Sequence, residues 1–499
     1  MSPLLVFSVI AFYFSILIFV SYLTSRGANT STFFTANRQS PWYLVAFGMI
    51  GASLSGVTFI SVPGEVGNSY FHYFQMVIGY LLGYFVIATV LMPIYYKLNL
   101  VSIYTYLEKR FGFAAYKTGA AFFLLSRVIG SSFRLFLVAT VLQLAFFDSF
   151  GIPFWLTVIV TILLIWLYTY RAGIKTIVWT DTLQTTFMLL AVVISIYLIG
   201  SEMNLSFSSL MGEIQSSKFS KVFNWDWQSS RNFFKQFFAG AFIAIVMTGL
   251  DQDMMQKNLT CKNLKEAQKN MFWFSITLVP VNLLFLSLGA LLYSYFLSSG
   301  LSFSGEDVFK FVAETETFAH TDKLYPELAI NHFGVAAGIT FLLGIIAAAF
   351  SSADSALTSL TTSFTVDILG IDVNKESEDT QKKKRIVHFG FSMLIFLVIL
   401  IFKWINDDSV INQVFRVAGY TYGPLLGMFA FGLFTKIKIY DKFVPVIAVL
   451  SPVLTFFVNM FSEDLLGGYK FGFELLLVNG LIMFVGLLLL SRKEKSADF

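Results

Sequence analysis

Small and hydroxyl residues interrupt two long apolar runs of this chain. The run 51–58 contains two glycines and three hydroxyl residues, and the run 347–355 contains three serines and Asp354. Polar groups at the depth of hydrocarbon cost several kcal/mol each unless they are paired or bind something. Two such runs therefore predict a cation site near the middle of a membrane.

The spacing in the second run places oxygen ligands on one side of a helix. Ala348, Ser351 and Ser352 stand at i, i+3 and i+4, which is one helical face. Two hydroxyls and one carbonyl there, with unwound carbonyls of Gly51 and Leu54 opposite, would suit sodium, a hard cation that prefers oxygen. The alternative is that the small residues only allow close helix packing, with each hydroxyl bonded to its own helical turn.

Two carboxylates belong to apolar segments. Asp181 stands near the start of one span and Asp354 stands deep inside another. A carboxylate at the centre of a membrane helix costs roughly 2.5–3.5 kcal/mol on insertion scales, so each needs a partner or an ion. For Asp354 the alternative to an ion is a structural pair with Arg127, Arg134 or Arg416. For Asp181 the alternative is a carboxylate at the membrane interface, where the start of a helix favours a negative charge.

Arg134 is the third candidate residue. It lies in the middle of a predicted span, two helical turns beyond Arg127, which is nearer the helix end and is expected to extend towards the membrane surface. A guanidinium stays charged at any depth and binds carboxylates in a bidentate manner. Arg134 is therefore the better candidate to hold an anionic group of a solute.

The composition predicts the elements that position these residues. Of 499 residues, 56% are hydrophobic and only 13% are charged, and the mean hydropathy is +0.72, which is typical of an all-α polytopic membrane protein. The single Cys261 excludes an intrachain disulfide. Metal, phosphate-loop and nucleophile motifs are missing from suitable contexts, so neither an enzyme, an organic cofactor nor a nucleic-acid partner is expected.

Hydropathy predicts about thirteen transmembrane helices in a single transmembrane domain, 1–499. About two thirds of the 34 lysines and arginines fall on one side of a cell (inner) membrane. This bias predicts that the N-terminus lies outside and the C-terminus lies in the cytoplasm.

After a first helix, 3–25, ten spans divide into two sets of five, 42–200 and 233–434, and two further helices occupy 443–491. Because five is odd, the second set runs inverted. The first span of each set contains glycines, Gly51 and Gly56 in one and Gly240 and Gly249 in the other, which would let the backbone leave helical geometry and free carbonyls for an ion. The predicted spans lie near 3–25, 42–67, 72–96, 118–147, 153–170, 176–200, 233–256, 271–298, 332–368, 386–403, 411–434, 443–461 and 472–491.

Four sequence elements together resemble the sodium/solute symporter family. They are the run 104–111 (YTYLEKRF), the run 178–184 (VWTDTLQ), the serine-rich run 351–355 and the run 251–256 (DQDMMQ). The resemblance covers most of the chain and is closest in pattern to bacterial sialic acid symporters. It implies a LeuT-type fold of two inverted five-helix repeats that works by alternating access. It also implies Na+ as the coupling ion and sodium-driven import of a small organic solute, with a carboxylate as in sialic acid or monocarboxylates.

The same resemblance assigns roles to individual residues. The solute would contact Ser53, Ser55, Thr58 and Arg134. The primary sodium ion would bind Gly51, Leu54, Ala348, Ser351 and Ser352. A second sodium ion would bind Asp181, Ser351, Asp354 and Ser355.

Two positions depart from the family pattern. Asp354 replaces a serine of the second sodium site, and the spacing around Gln75 is shifted relative to a glutamine that binds solute. The run 62–65 (VPGE) also resembles the iodide, monocarboxylate and vitamin branch. The alternatives are a symporter of sugars or other neutral solutes, and a membrane sensor that uses this fold as an input domain. The expected partners are the solute, sodium and the lipid bilayer, without an obligate protein partner.

Overall fold

The fold is a bundle of long helices. The computed structural model describes residues 3–24, 36–100, 102–169, 174–303, 308–371, 378–405 and 409–492. The long helices, numbered in chain order, are α1 Pro3–Thr24, α2 Trp42–Ser53, α3 Gly56–Ser69, α4 Tyr73–Lys97, α5 Phe113–Ala145, α6 Phe154–Thr169, α7 Ile174–Glu202, α8 Phe233–Gly249, α9 Gln252–Asn258, α10 Leu264–Ser299, α11 Gly334–Ile368, α12 Glu378–Ile405, α13 Val410–Thr421, α14 Gly423–Phe434, α15 Val444–Met460 and α16 Leu475–Leu489.

Shorter elements connect these helices. Single turns and short helices lie at Ala36–Arg38, Thr105–Arg110, Phe147–Phe150, Phe207–Ser216, Lys218–Ser220, Thr321–Lys323, Leu324–Glu327, Leu328–His332, Asp441–Phe443 and Ser462–Leu465. The all-α prediction misses one antiparallel hairpin, β1 Lys310–Val312 with β2 Thr317–Ala319. The amide of Asn68 at the end of α3 donates to the Phe318 carbonyl (2.9 Å) and accepts from its N–H (2.8 Å). The hairpin therefore covers the end of α3.

Apolar helices of membrane-spanning length dominate the described part of the chain. Eight single helices are long and apolar enough to cross a membrane, and three bent pairs raise this number to eleven. Two further apolar helices, Phe154–Trp166 and Leu475–Leu489, are shorter. The chain is thus a multi-pass membrane protein, as the composition predicts.

The three bent pairs position the candidate residues. The chain bends by 53° between α2 and α3 and by 72° between α8 and α9, which are the two glycine-containing spans that the sequence singled out. Glycine permits the backbone to leave helical geometry, and each break frees carbonyls for other partners. The bend of 47° between α13 and α14 was not predicted.

Pro424 accounts for that third bend. A proline in the first turn of α14 cannot donate to the carbonyl four residues earlier, at Tyr420. The side-chain amide of Asn479 on α16 satisfies the freed carbonyls instead, because it donates to Gly419 and to Tyr420 at 2.9 Å each. A buried asparagine thus stabilises a break in a neighbouring helix.

The first helix packs on the bundle through aromatic contacts. Tyr13 lies edge-on to Phe187 of α7 with ring centroids 5.8 Å apart, and Phe14 lies edge-on to Phe350 of α11 at 4.9 Å. The hydroxyls of Thr24 and Thr176 are 2.8 Å apart and join the end of α1 to the start of α7. These contacts fix α1 against the two helices that contain the predicted carboxylates.

Candidate functional site

Oxygen atoms from α2 and α11 converge where α2 ends. The Ser351 hydroxyl lies 3.3 Å from the Gly51 carbonyl oxygen, and the Ser352 hydroxyl lies 3.5 Å from that of Ala52. Both hydroxyls also approach the Ala348 carbonyl, at 3.2 and 3.5 Å. The break after α2 leaves its last carbonyls without helical partners, so they are available to a ligand.

The spacing of this cluster suits a hard cation. Ligand oxygens about 2.4 Å from a central ion lie about 3.4 Å from each other in octahedral geometry, which is close to the separations observed. The cluster is shielded from solvent, since Ser351 and Ser352 are at most 1% exposed. Sequence reasoning named Gly51 but missed the Ala52 carbonyl. Leu54 lies at the break, where its N–H donates to the Ile50 carbonyl (2.8 Å).

Gly51 also brings α2 close to α7. Its N–H donates to the Thr185 hydroxyl (3.1 Å), which in turn donates to the Asp181 carbonyl (2.7 Å). A Cβ atom at Gly51 would lie 2.1 Å from the Thr185 hydroxyl oxygen. Glycine is therefore required for this contact, which fixes the carbonyls at the end of α2.

A cavity of about 80 Å³ adjoins the break and brings together the predicted solute-binding residues, Ser53, Ser55, Thr58 and Arg134. Tyr73, Tyr80, Tyr84, Phe415 and apolar side chains of α8 and α13 form much of the remaining wall. Arg134 forms no ion pair with any residue that the structure describes, and its Nε has no hydrogen-bond partner there. A charged group inside a membrane protein thus faces the cavity without a counter-charge in direct contact.

Arg127 has a different role from the one expected. It does not extend to the membrane surface but is buried, with an ion pair to Asp253 of α9 and a second contact to Asp251 at 3.7 Å. The Tyr422 hydroxyl donates to Asp251 (2.8 Å). The idea that Arg127 pairs with Asp354 is wrong, because the carboxylates of the 251–253 segment occupy this guanidinium.

Asp181 is also paired, and sequence reasoning missed its partner. The Lys257 ammonium lies 2.8 Å from Asp181 Oδ2, and both side chains are almost completely buried. Lys257 follows the predicted span 233–256 directly and looked like a loop residue. The break between α8 and α9 turns it inwards instead.

The remaining residues predicted for a second ion lie around α9 and α11. The Ser355 hydroxyl donates to Asp253, and the Ser355 N–H donates to the Asp354 carboxylate. Ser351 belongs to the oxygen cluster at the end of α2. The four predicted residues therefore lie near one another, but part of their hydrogen-bonding capacity is used within the protein.

Gln75 is a structural residue in this chain. Its amide nitrogen donates to the carbonyls of His72 and Arg231 (3.1 Å each), and its oxygen accepts from the Asn224 N–H (3.0 Å). It is fully buried and is absent from the wall of the 80 Å³ cavity. The shifted spacing around Gln75 thus corresponds to a role in anchoring the connection before α8.

A second, wider cavity of about 480 Å³ lies beyond the aromatic wall of the first. Tyr73 and Phe415 line both cavities and stack on each other, with ring centroids 6.3 Å apart. Arg231 pairs with Glu65 at 3.1 Å in the wider cavity. The aromatic pair therefore lies between the large cavity and the small one.

One titratable group beside the wider cavity is electrostatically perturbed. His72 stands between α3 and α4, and its Nδ1 hydrogen-bonds to the Val222 carbonyl (3.0 Å). Burial lowers the pKa of His72 below its usual value, although the carbonyl contact opposes this shift. The imidazole is therefore favoured in its neutral form.

The comparisons with known proteins agree with this geometry. The model of the sodium:solute symporter family matches residues 33–438. The sodium/sialic acid symporter NanT of Aliivibrio fischeri is 24% identical over 83% of this chain and 80% of its own length. The sodium/sialic acid symporter SiaT of Proteus mirabilis is 23% identical over 89% and 88% of the two chains. The human sodium/iodide cotransporter is 24% identical over 82% of this chain and 62% of its own length.

Solved structures show the same fold. A Na+-coupled sialic acid symporter in a substrate-bound, outward-open state covers 98% of this chain and 99% of its own, with a TM-score of 0.78 and 18% identity. Mhp1, a nucleobase-cation-symport-1 family transporter, covers 92% and 94% with a TM-score of 0.57 and 15% identity. These folds are LeuT-like. From the family match over most of its length, the chain belongs to the sodium:solute symporter family.

Proposed function

We propose that the protein imports a small organic solute with a carboxylate group, driven by sodium entry. The observation that carries this proposal is the guanidinium of Arg134. It lines the 80 Å³ cavity without an ion pair to any described residue. An isolated cation at this depth is costly, whereas a bound carboxylate would neutralise it through two parallel hydrogen bonds. The hydroxyls of Ser53, Ser55 and Thr58 would then bind polar groups on the rest of the solute.

Sodium and solute would be coupled through the broken span. The primary ion would bind oxygens of Gly51, Leu54, Ala348, Ser351 and Ser352, with the Ala52 carbonyl as a further neighbour. Ala52 also lines the solute cavity, and its carbonyl accepts from Ser352. An ion in this cluster would fix the end of α2 in the geometry that presents Ser53 and Ser55 to the solute. Solute binding would then favour the sodium-bound state, and sodium binding would favour the solute-bound state.

A second sodium ion would bind near Asp181 and Asp354, with Ser351 and Ser355 as the other residues of the set. The support for this is the complete burial of both carboxylates, which are 0% exposed. Lys257 holds only one oxygen of Asp181, so the other is available. With two sodium ions and a monoanionic solute, one net positive charge would enter in each cycle.

Alternating access would use two inverted sets of five spans, 42–200 and 233–434, with 3–25 and 443–491 as additional helices of a thirteen-span domain. The equivalent position of the two breaks, in the first span of each set, supports this organisation. Arg127 and Lys257 would close the cytoplasmic side by holding α9 in place, and the 480 Å³ cavity would open outside. The N-terminus would then lie outside a cell (inner) membrane and the C-terminus in the cytoplasm.

The class of solute is testable against the alternative of a neutral sugar. The relatives named above act on sialic acid or iodide, and mouse monocarboxylate transporter 2 is a further sodium-coupled relative. Purified protein in liposomes should take up a sialic acid or a short monocarboxylate when sodium is outside, and not when choline replaces it. Neutral sugars of similar size serve as the comparison. Sodium-driven uptake of a sugar without uptake of any acid would overturn the carboxylate assignment and leave the symport assignment intact.

A further inference from the structure

Three buried side chains near α1 present polar atoms that have no hydrogen-bond partner. These atoms are the Tyr13 hydroxyl, Asp181 Oδ1, and both the oxygen and the nitrogen of the Gln184 amide. All three side chains are 0% exposed. A buried polar atom left without a partner costs about 1–3 kcal/mol. A group of four such atoms destabilises the fold unless a ligand completes their interactions.

These side chains belong to one small region. Asp181 and Gln184 stand at i and i+3 on α7 and therefore share a face of the helix. The Tyr13 hydroxyl lies close to the Gln184 amide, although the two do not meet the geometry of a hydrogen bond, and it is within electrostatic reach of Asp181 and Asp354. The contact between Tyr13 and Phe187, one turn beyond Gln184, holds the tyrosine ring in this position. The region is thus enclosed by α1, α7 and α11.

The chemistry of the region favours a cation. Its oxygens come from a carboxylate, an amide and a phenol, which are hard ligands. The ammonium of Lys257 holds Asp181 Oδ2 at 2.8 Å, so this residue is fixed while Oδ1 remains available. The carboxylate of Asp354 acts on both Tyr13 and Lys257 through space. An anion would be repelled by the two carboxylates.

We infer that Tyr13, Asp181 and Gln184 form a sodium site in which the first helix supplies a ligand. This inference rests on the proposed sodium symport and changes the composition of its second ion site. The Tyr13 phenol and the Gln184 amide are added to the ligands of that site, because their polar atoms have no other hydrogen-bond partner among the described residues. Helix α1, which precedes the two sets of five spans, thereby takes part in coupling sodium to transport.

The test measures sodium binding without transport. Full-length purified protein without solute is heated in increasing NaCl, with choline chloride keeping the ionic strength constant. Because each bound ion stabilises the folded state, the unfolding temperature of wild type should rise with the logarithm of the NaCl concentration. The slope of this rise should be the one expected for two bound ions. In Tyr13→Phe and in Gln184→Leu this slope should fall to that of one ion, over the NaCl concentrations at which wild type binds two. The concentration needed for the second ion should rise about tenfold or more.

The same variants distinguish an ion from a buried water molecule. In choline alone they should be as stable as wild type or more stable, because each removes a polar atom that lacks a partner. A water molecule in place of the ion would make their unfolding temperatures change equally in sodium and in choline, which would overturn the inference. Unchanged sodium dependence in both variants would also overturn it.

A matched control is Tyr325→Phe. This tyrosine is also buried, but its hydroxyl is bonded to Ser195 at 2.6 Å. The variant should be less stable in both salts while keeping the steepness of wild type. If wild-type protein shows sodium-dependent uptake but only one bound ion, the inference fails and the symport proposal stands. If wild type shows neither sodium-dependent uptake nor sodium-dependent thermal stability, the inference and the symport proposal both fail.

Discussion

At the scale of single residues, buried polar groups differ by whether the protein itself satisfies them. Arg127 and Lys257 have carboxylate partners at close range, whereas Arg134 faces a cavity without an ion pair among the described residues. Removing one partner of a buried ion pair mainly damages folding. A residue whose partner is a transported molecule should instead affect binding, and the first two predictions use this difference.

Arg134→Lys should weaken binding of a carboxylate solute by well over tenfold. Lysine keeps the charge but cannot form the bidentate contact of a guanidinium. The measurement is solute affinity at saturating sodium, and sodium binding without solute is the control that should stay near the wild-type value. Equal affinity in the variant would exclude Arg134 as the carboxylate-binding residue.

Ser351→Ala and Ser352→Ala should each raise the sodium concentration that gives half-maximal uptake, since each removes one ligand oxygen. Ser359→Ala is the matched control on the same helix, because its hydroxyl is buried and bonded only to the Ala356 carbonyl (3.0 Å). Sodium titration of uptake in liposomes measures the effect. If both variants retain the wild-type sodium dependence, the oxygen cluster at the end of α2 is not the primary site.

At the scale of secondary-structure elements, the site depends on a helix that stops in the middle of a span. The break between α2 and α3 frees carbonyls, and the contact of Gly51 with Thr185 fixes their position against α7. The break between α8 and α9 likewise turns charged side chains inwards. Substitutions that change the path of α2 should therefore change sodium binding, even though they remove no ligand atom.

Gly51→Ala should abolish or strongly reduce sodium-dependent uptake. The added methyl group would overlap the Thr185 hydroxyl, and overpacking of this kind costs about 1–3 kcal/mol. Gly130→Ala is the control, because its Cβ meets nothing within 4 Å and alanine favours a helix by up to about 1 kcal/mol. Uptake and thermal stability of both variants are compared with wild type. Normal sodium dependence in Gly51→Ala would show that the close approach of α2 to α7 is not needed.

At the scale of the whole molecule, coupling depends on how much charge crosses the membrane. One charge moved through 100 mV is worth about 2.3 kcal/mol, and about 1.4 kcal/mol corresponds to a tenfold concentration ratio. Two sodium ions with a monoanion would therefore support more than tenfold accumulation from the membrane potential alone.

A negative potential inside liposomes should stimulate uptake of a carboxylate solute. The potential is set by a potassium gradient with an ionophore, and initial uptake rates are compared with those at zero potential. The matched variant is Gln184→Leu, which should lose this stimulation if it transports one ion fewer per solute. Uptake by wild type that is insensitive to the potential would indicate one sodium ion per monoanion and contradict the two-ion stoichiometry.

The sequence by itself determined the parts of this protein that depend on local chemistry. Hydropathy gave the positions of the long helices, and glycine with hydroxyl residues predicted the breaks in the spans 42–67 and 233–256, which the structure confirms. The combined motifs identified the family, which the comparisons confirm. The assignments of individual ion and solute ligands stay predictions, although the cavity brings together Ser53, Ser55, Thr58 and Arg134.

Only the tertiary structure decided which polar groups meet. Lys257 and Asp181 are 76 residues apart, Arg127 and Asp253 are 126 apart, and Ser351 and Gly51 are 300 apart. Helical periodicity gives the face on which a residue lies, but it does not give the helix that this face contacts. The inward turn of Lys257 and the orientation of Tyr13 towards Gln184 depend on helix packing, which the pattern of a single sequence does not encode locally.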